Sequence, residues 1–471
     1  MKRLTLPTLI LLVLGISSFL PIEGAESTLK LPAYKKVQLK NGMTLLLMEQ
    51  HEVPLISFNT IVKVGSVVDP AGKEGVAALT AGLLRKGTKT RSADQISAEL
   101  DFVGGQLDAD ATKDYSSASG EFMKKDVAKG LDLLADVLLH PTFPEEEVTK
   151  MLKQRIDGIK AAKDEAQNVI GIYFNAYLYT SHPYARSTGG DEKSLAAIKR
   201  SDVLRFYETR YAPGLTILAA VGDFNSSEME RMLAEKFDGW NAKPSQEAVV
   251  AAAAPLQGKK LLLVDKPDST QTFFRIGNVG IARTNRDRVY INVVNTVFGG
   301  RFTSMLNSEL RINSGLTYGA YSIFDQRKVQ GPFVISSYTQ NAMTEKAIDM
   351  ALDILKRLHE NGITEEQLKS AKNYMKGQFP TRVETSDQLA SLVSQLEFYG
   401  LDAGDVNDYY PHIDAMTVAD AQRVIKQYFP LDNLAFVLIG KASEIQGMVK
   451  KYASKVDTKL ISEPGFSVTQ K

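Results

Sequence analysis

Apolar and polar residues alternate in the stretch that follows residue 30. Val37 and Leu39 alternate with polar neighbours, Asn41-Gly42 interrupts, and Met43, Leu45 and Leu47 resume the pattern. Asn-Gly between two alternating runs predicts a β-hairpin, because its turn positions need the positive φ these residues tolerate. Leu55 to Val64 predicts another strand. Helical periodicity then predicts helices over Gly75–Arg85, Ala93–Phe102 and Ala128–Leu139, and a long one from Pro144 to about Ala166. Pro144 suits a first helical turn, and Glu145, Glu146 and Glu147 favour the positive end of the helix dipole. That acidic run is therefore a helix start and not a metal site.

The second half of the chain repeats the first. Asp202 and Asp420, Tyr211 and Phe429, and Gly222 and Gly440 are three pairs with one and the same separation in sequence. Phe143-Pro144-Glu145-Glu146 with Val148 is echoed, at almost that separation, by Ile363-Thr364-Glu365-Glu366 with Leu368. A near-constant offset over separate blocks predicts tandem duplication. The join falls in residues 241–258, where Pro, Ser and an alanine run without amphipathic pattern read as a linker. Hairpins outnumber strict β-α alternation, so the expected class is α+β: two tandem homologous domains, residues 30–240 and 259–460, each an antiparallel sheet packed with helices.

Composition narrows the function classes. The 471 residues are 44% hydrophobic and 24% charged, enough for more than one core. Lys and Arg number 56 against 55 Asp and Glu, and no basic stripe stands out, so nothing points to nucleic acid. Lys2 and Arg3, the uncharged run Leu4–Leu20, and small residues at Gly24 and Ala25 read as an export signal over residues 1–25. The apolar run is short for a membrane span, so a periplasmic or otherwise exported protein, without stable membrane insertion after signal cleavage, is expected; the alternative is an uncleaved N-terminal anchor. The chain has no cysteine, which excludes disulfides, thiolate metal sites and a lipid-modified cysteine anchor.

Two blocks carry a family resemblance. The first is Val64-Gly65-Ser66, Gly72-Lys73-Glu74-Gly75-Val76-Ala77 and Arg85-Lys86-Gly87-Thr88. It resembles the first motif region of the pitrilysin/insulinase zinc peptidases, a family that includes mitochondrial processing peptidase. There the segment carries His-x-x-Glu-His, whose two histidines share one helix face and reach one metal while the Glu polarises its water. Here the matching residues are Ala78-Leu79-Thr80-Ala81-Gly82, so Ala78 and Gly82 replace the histidines and Ala81 replaces the Glu. The family's distal carboxylate ligand would fall near Asp157 or Gly158. The five histidines, His51, His140, His182, His359 and His412, are far apart in sequence and offer no local pair. His182-Pro183-Tyr184 matches a family loop and reads as structural. No metal ligand and no catalytic residue is therefore expected on this chain.

The second block, Phe298-Gly299-Gly300-Arg301 through Arg311-Ile312-Asn313-Ser314-Gly315-Leu316-Thr317-Tyr318, resembles the family's arginine–tyrosine motif in identity and spacing. The resemblance implies that Arg311 and Tyr318 bind substrate, donating hydrogen bonds to its backbone opposite the zinc. Arginine brings a permanent charge with several donors, and a tyrosine hydroxyl donates without charge, so both suit a carbonyl gaining negative charge. Residues Glu309–Asn313 are expected to end a helix, Gly315 to take the left-handed cap, and Thr317–Ser322 to run on as a strand.

The resemblance spans most of residues 35–450. It implies a non-catalytic subunit of a heteromeric zinc metallopeptidase. Zinc would sit on a similar partner chain that carries the intact motif, and this chain would supply Arg311 and Tyr318 to hold a peptide substrate, its backbone gripped by strand addition. Two alternatives are a structural or peptide-binding subunit that takes no part in cleavage, and an active zinc endopeptidase with relocated ligands.

Overall fold

The computed structural model describes residues 30–242 and 246–468. The expected export signal, residues 1–25, lies outside them. The hairpin forms as β1 (Lys35–Gln38) and β2 (Thr44–Glu49), paired antiparallel, with Gly42 at φ +90° in the turn. β3 (Leu55–Val62) follows, then helices α1 (Val76–Leu83), α2 (Ala93–Val103), strands β4 (Gln106–Ala111) and β5 (Ser116–Met123), and α3 (Val127–Leu139). After α4 (Glu145–Ala162) and α5 (Ala166–Tyr179), β6 (Thr216–Gly222) completes a six-stranded sheet in the order β1-β2-β6-β3-β5-β4.

The second sheet holds β7 (Lys260–Asp265), β8 (Gln271–Val279), β9 (Ala320–Phe324), β10 (Pro332–Gln340), β11 (Ala435–Gly440) and β12 (Lys455–Leu460), in the order β12-β7-β11-β8-β10-β9. Its order copies the first, with the late strand β12 standing where β1 stands. The repeat extends to helices. Helix Arg200–Arg210 has its counterpart in Val418–Tyr428, with the same length and the same offset as the paired residues inside them. Asp202 and Asp420 each accept from the backbone N–H three residues back at these helix starts. The α+β class stands, but the sheets are mixed rather than antiparallel. β2 runs parallel to β6, and β7 runs parallel to both β11 and β12. Each such pair joins segments remote in sequence, which no turn signal marks.

The expected helix from Pro144 to about Ala166 forms but stops earlier, and a separate helix begins at Ala166. α4 ends at Ala162, and the turn after it is held from outside. The buried Lys163 ammonium meets Glu192, donates to the Glu463 carbonyl at 2.8 Å, and lies over the Phe466 ring. α5 then leaves its own half. Val169, Ile170, Tyr173, Phe174 and Tyr177 pack onto Leu262, Val264, Val437 and Ile439 of the second sheet. Helix Ser386–Tyr399, the counterpart of α5 in the second half, does the reverse, packing Leu389, Ala390, Val393 and Leu396 onto Leu46, Ile61, Ile217 and Ala219 of the first. Each half thus covers one sheet face with its own helices and receives one helix from the other half on the opposite face.

Two further contacts tie the halves. At the β4–β5 turn, Asp114 accepts from the Tyr184 hydroxyl at 2.7 Å and from Lys328 N at 3.1 Å, and Val329 N donates to the Tyr184 oxygen at 3.2 Å. Residues 246–258 form no helix or strand, and Leu256 N donates to Asn278 on β8. His182 is structural, as expected: its Nδ1 accepts from Tyr184 N at 3.1 Å. Among the described residues no helix is long and apolar enough to cross a membrane.

Candidate functional site

α1 carries the segment that resembles the metal helix. Its start is fixed by Gly75, at φ +100°, and by the buried Asp69, whose carboxylate accepts from Gly75 N at 2.7 Å and Ala77 N at 3.0 Å. Those two donors are among the N–H groups a helix start leaves unpaired. Val76 through Ala81 and Leu83 are buried, so the helix is fixed on nearly every side.

Ala78 and Gly82 lie one turn apart on α1, as the ligand pair of an intact motif would. The residue facing them from α4 is Arg155. Its Nη2 donates to the Ala78 carbonyl at 2.9 Å, and a Cβ on Gly82 would lie 3.1 Å from that nitrogen and 3.4 Å from the Met151 sulfur. An imidazole at position 82 would have to occupy the space that the guanidinium fills. Asp157, the nearest carboxylate to the expected distal ligand, is exposed, lies 3.7 Å from Lys160, and lines a separate groove between α4 and helix Arg200–Arg210. The residues present do not fit zinc: a methyl group and a glycine stand in the two histidine positions, and a cation faces them. Among the described residues, no three His, Cys, Asp or Glu side chains come together to hold a metal elsewhere.

The Arg-Tyr block builds a second site on the other half. Ser304 caps a turn of α-helix, Met305–Asn307, that widens into a π-helical turn over Ser308–Asn313. Single π-turns inside helices often mark functional sites. Gly315 takes the left-handed conformation at φ +61°, as expected, and Leu316 N bonds the carbonyl of the buried Leu310. The strand begins later than expected, at Ala320. Thr317 Oγ1 donates to the Gly319 carbonyl at 3.0 Å and accepts from Gly319 N at 3.1 Å, which folds residues 317–319 into a turn instead. Tyr318 sits at the tip of that turn, 77% exposed.

Arg311 projects from the π-turn, its guanidinium 4.9 Å from the centre of the Phe302 ring, which is itself 60% exposed. Among the described residues neither the Arg311 guanidinium nor the Tyr318 hydroxyl has a hydrogen-bond or ion-pair partner. Next to them β9 shows Tyr321 and Ile323 to solvent and borders a cleft of about 730 Å³ whose other walls include Tyr374, Arg382 and Tyr399.

The two sheet edges differ in availability. The outer edge of β9 is closed at Ser322: its N–H donates to the Gly299 carbonyl at 3.0 Å and its carbonyl accepts from Asn295 at 2.9 Å. Gly299 is required there, because a Cβ would lie 2.3 Å from Ser322 Oγ. On β4, Arg85 reaches the Leu107 carbonyl, and Ala111 N donates to Asp110 Oδ1, so the odd-numbered residues turn their backbone outward. Arg155 is the residue at this helix contact that sequence reading missed. Its meaning depends on which face of α4 meets α1, and no motif reports that.

Comparison with known proteins agrees with this architecture. Residues 46–192 match the family profile described as Insulinase (Peptidase family M16), and residues 197–375 match the Peptidase M16 inactive domain. The chain is 26% identical over 412 residues to an uncharacterized zinc protease of Mycobacterium leprae, covering 86% of this chain and 92% of that one. It is 23% identical over 413 residues to the uncharacterized zinc protease YmxG of Bacillus subtilis, covering 87% and 99%. Among solved structures, a peptidase M16 inactive domain from Pseudomonas fluorescens superposes with a TM-score of 0.82 at 26% identity, over 87% of this chain and 98% of that one. A protease from Helicobacter pylori gives 0.78 at 22% identity, over 87% and 100%.

Proposed function

The chain belongs to the insulinase family of M16 peptidases, and on that premise we propose that it is a non-catalytic subunit which holds peptide substrate for a zinc-bearing partner of the same family. One observation carries the reading. The metal helix carries Ala78 and Gly82 in place of the two histidine ligands and Ala81 in place of the Glu, while the Arg311 and Tyr318 side chains are exposed and, among the described residues, have no hydrogen-bond or ion-pair partner. A lone arginine and tyrosine with free donors suit the carbonyl oxygen of a peptide bond, which gains negative charge during cleavage. The apolar wall of Tyr321 and Ile323 suits the side chains on either side of that bond. Hydrolysis itself belongs to the partner, where the zinc would reside. The charged-then-apolar start of the sequence supports a periplasmic or otherwise exported location for this subunit.

The test is reconstitution. Purified alone, the chain is expected to hold no stoichiometric zinc and to cleave no peptide. Mixed with an intact-motif M16 chain from the same organism, it is expected to restore cleavage. Arg311→Ala and Tyr318→Phe should each lower the mixed activity by about 100-fold. Full activity with either variant would remove the role assigned to the pair.

A further inference from the structure

The place left by the missing ligands on α1 is filled by the guanidinium of Arg155. Arg85, at the end of the same helix, is matched to Asp108 at 2.6 Å. Arg155 has no carboxylate within ion-pair distance among the described residues. Burial works against its charge, and the one opposing influence is Asp110 on β4. A guanidinium stays protonated at neutral pH even so, and presents several N–H donors in a planar fork. One nitrogen of Arg155 is committed to the Ala78 carbonyl. Arg155 is half-buried, and among the described residues its other nitrogens have no hydrogen-bond partner.

The strand beside it is open at one point. Leu107 and Ala111 have their outward backbone groups engaged by Arg85 and Asp110, and Ala109 between them has no partner outside the β4–β5 ladder. An extended peptide that pairs with a strand edge uses such free groups. Its carboxylates would find in Arg155 a cation in a partly desolvated setting, where a charge-assisted, two-pronged hydrogen bond is stronger than in water.

We propose that the vacated metal position is a carboxylate-binding site, in which Arg155 receives a carboxylate of a bound peptide, from its C-terminus or from an acidic side chain. The cation that excludes zinc thereby gives the site a different ligand. This site is read on the isolated chain, so its test does not depend on any partner.

The probes are three short labelled peptides of one neutral sequence: one with a free C-terminus, one amidated, and one amidated with a single internal glutamate. Binding to the full chain is followed by fluorescence anisotropy. A peptide carrying a carboxylate is expected to bind about tenfold more tightly than the neutral amide, and comparing the two carboxylate peptides shows which source is preferred. Arg155→Met should erase the difference. Arg155→Lys keeps the charge but loses the fork, and should lose several-fold of it, which keeps the test decisive if the methionine variant does not fold. A purely structural arginine would move the unfolding midpoint and leave the three peptides equal. Equal affinities in the unmodified chain, no binding of any of the three, or a difference that survives these substitutions would overturn the proposal.

Discussion

Arg155 on α4 and Ala78 on α1 meet across the helix contact, the guanidinium donating to a mid-helix carbonyl at 2.9 Å. That carbonyl belongs to the residue in the first ligand position, and the same nitrogen would crowd any side chain at the second, Gly82. The empty ligand positions and the arginine thus share one helix contact, so rebuilding a metal site there takes more than restoring the motif.

Rebuilding the motif alone should fail. Ala78→His, Ala81→Glu and Gly82→His together place an imidazole against Arg155, and the triple variant is expected to retain no stoichiometric zinc. Adding Arg155→Glu removes the cation and supplies a carboxylate from α4, giving two imidazoles and a carboxylate as ligands. Metal content by plasma mass spectrometry should then rise towards one zinc per chain. One zinc bound by the triple variant would show that Arg155 does not obstruct the site.

Arg311→Ala and Tyr318→Phe should leave stability almost unchanged. Both side chains are exposed and, among the described residues, make no hydrogen bond, so the variants' urea unfolding should stay within about 0.5 kcal/mol of the unmodified chain. A larger loss would assign them a structural task instead.

Gly299→Ala should act at a distance from Arg311 and Tyr318. The added methyl meets Ser322 Oγ at 2.3 Å and pushes β9 away from the loop that closes its edge. Displacement of β9 carries Tyr318 with it, so reconstituted cleavage is expected to fall about tenfold or more. Circular dichroism should show the fold retained, and unchanged activity would mean that Tyr318 is not positioned through this strand.

Tyr184→Phe should loosen the contact between the halves. It removes the bond to the buried Asp114 carboxylate and strips Val329 N of its acceptor. The expected cost is about 2 kcal/mol, read from urea unfolding. Because α5 and helix Ser386–Tyr399 are exchanged between halves, unfolding should remain a single transition. Two resolved transitions would mean that each half stands alone.

His359 sets an acid limit. Burial lowers its pKa below the ordinary histidine value, and its Nε2–H donates to the Phe429 carbonyl at 2.6 Å. A base whose folded pKa is depressed contributes stability that is present above its unfolded pKa of about 6.5 and is lost as pH falls through the folded value. Against His359→Gln, which can keep the donor without titrating, the unmodified chain should lose stability faster as pH falls from neutral into the acid range. Parallel pH curves from chemical denaturation would contradict this.

What sequence could and could not report follows from range. The hairpin at Asn41-Gly42 and α1, α2 and α3 are written in local periodicity, and they form where expected. The repeat is visible because helix starts and buried strands keep their spacing, as Asp202 and Asp420 show. The break after Ala162 is not visible, because Lys163 is turned by partners at Glu192 and Glu463, far along the chain. The late start of β9 comes from Thr317 bonding its own neighbourhood, a choice that strand propensity does not weigh. The blank at Ala78–Gly82 is legible residue by residue. That a cation from α4 fills it is not, since α2, α3 and two strands separate Arg155 from Gly82 in the chain and no motif links them.

The helix exchange also bears on how the chain is made. The first sheet's inner face, with Leu46, Ile61 and Ile217, is complete once β6 exists at residue 222. Its cover, helix Ser386–Tyr399, is synthesised only after four of the six strands of the second sheet. Until then a broad apolar surface stands open, and its closing contacts, such as Asn59 to Ser394, span 335 residues of chain. Contacts of that separation form slowly and leave their surfaces prone to mispairing in the interval. The nascent first half is thus a natural client for a holding chaperone, and a chain that stops short of residue 386 is an aggregation hazard rather than a half-sized working protein.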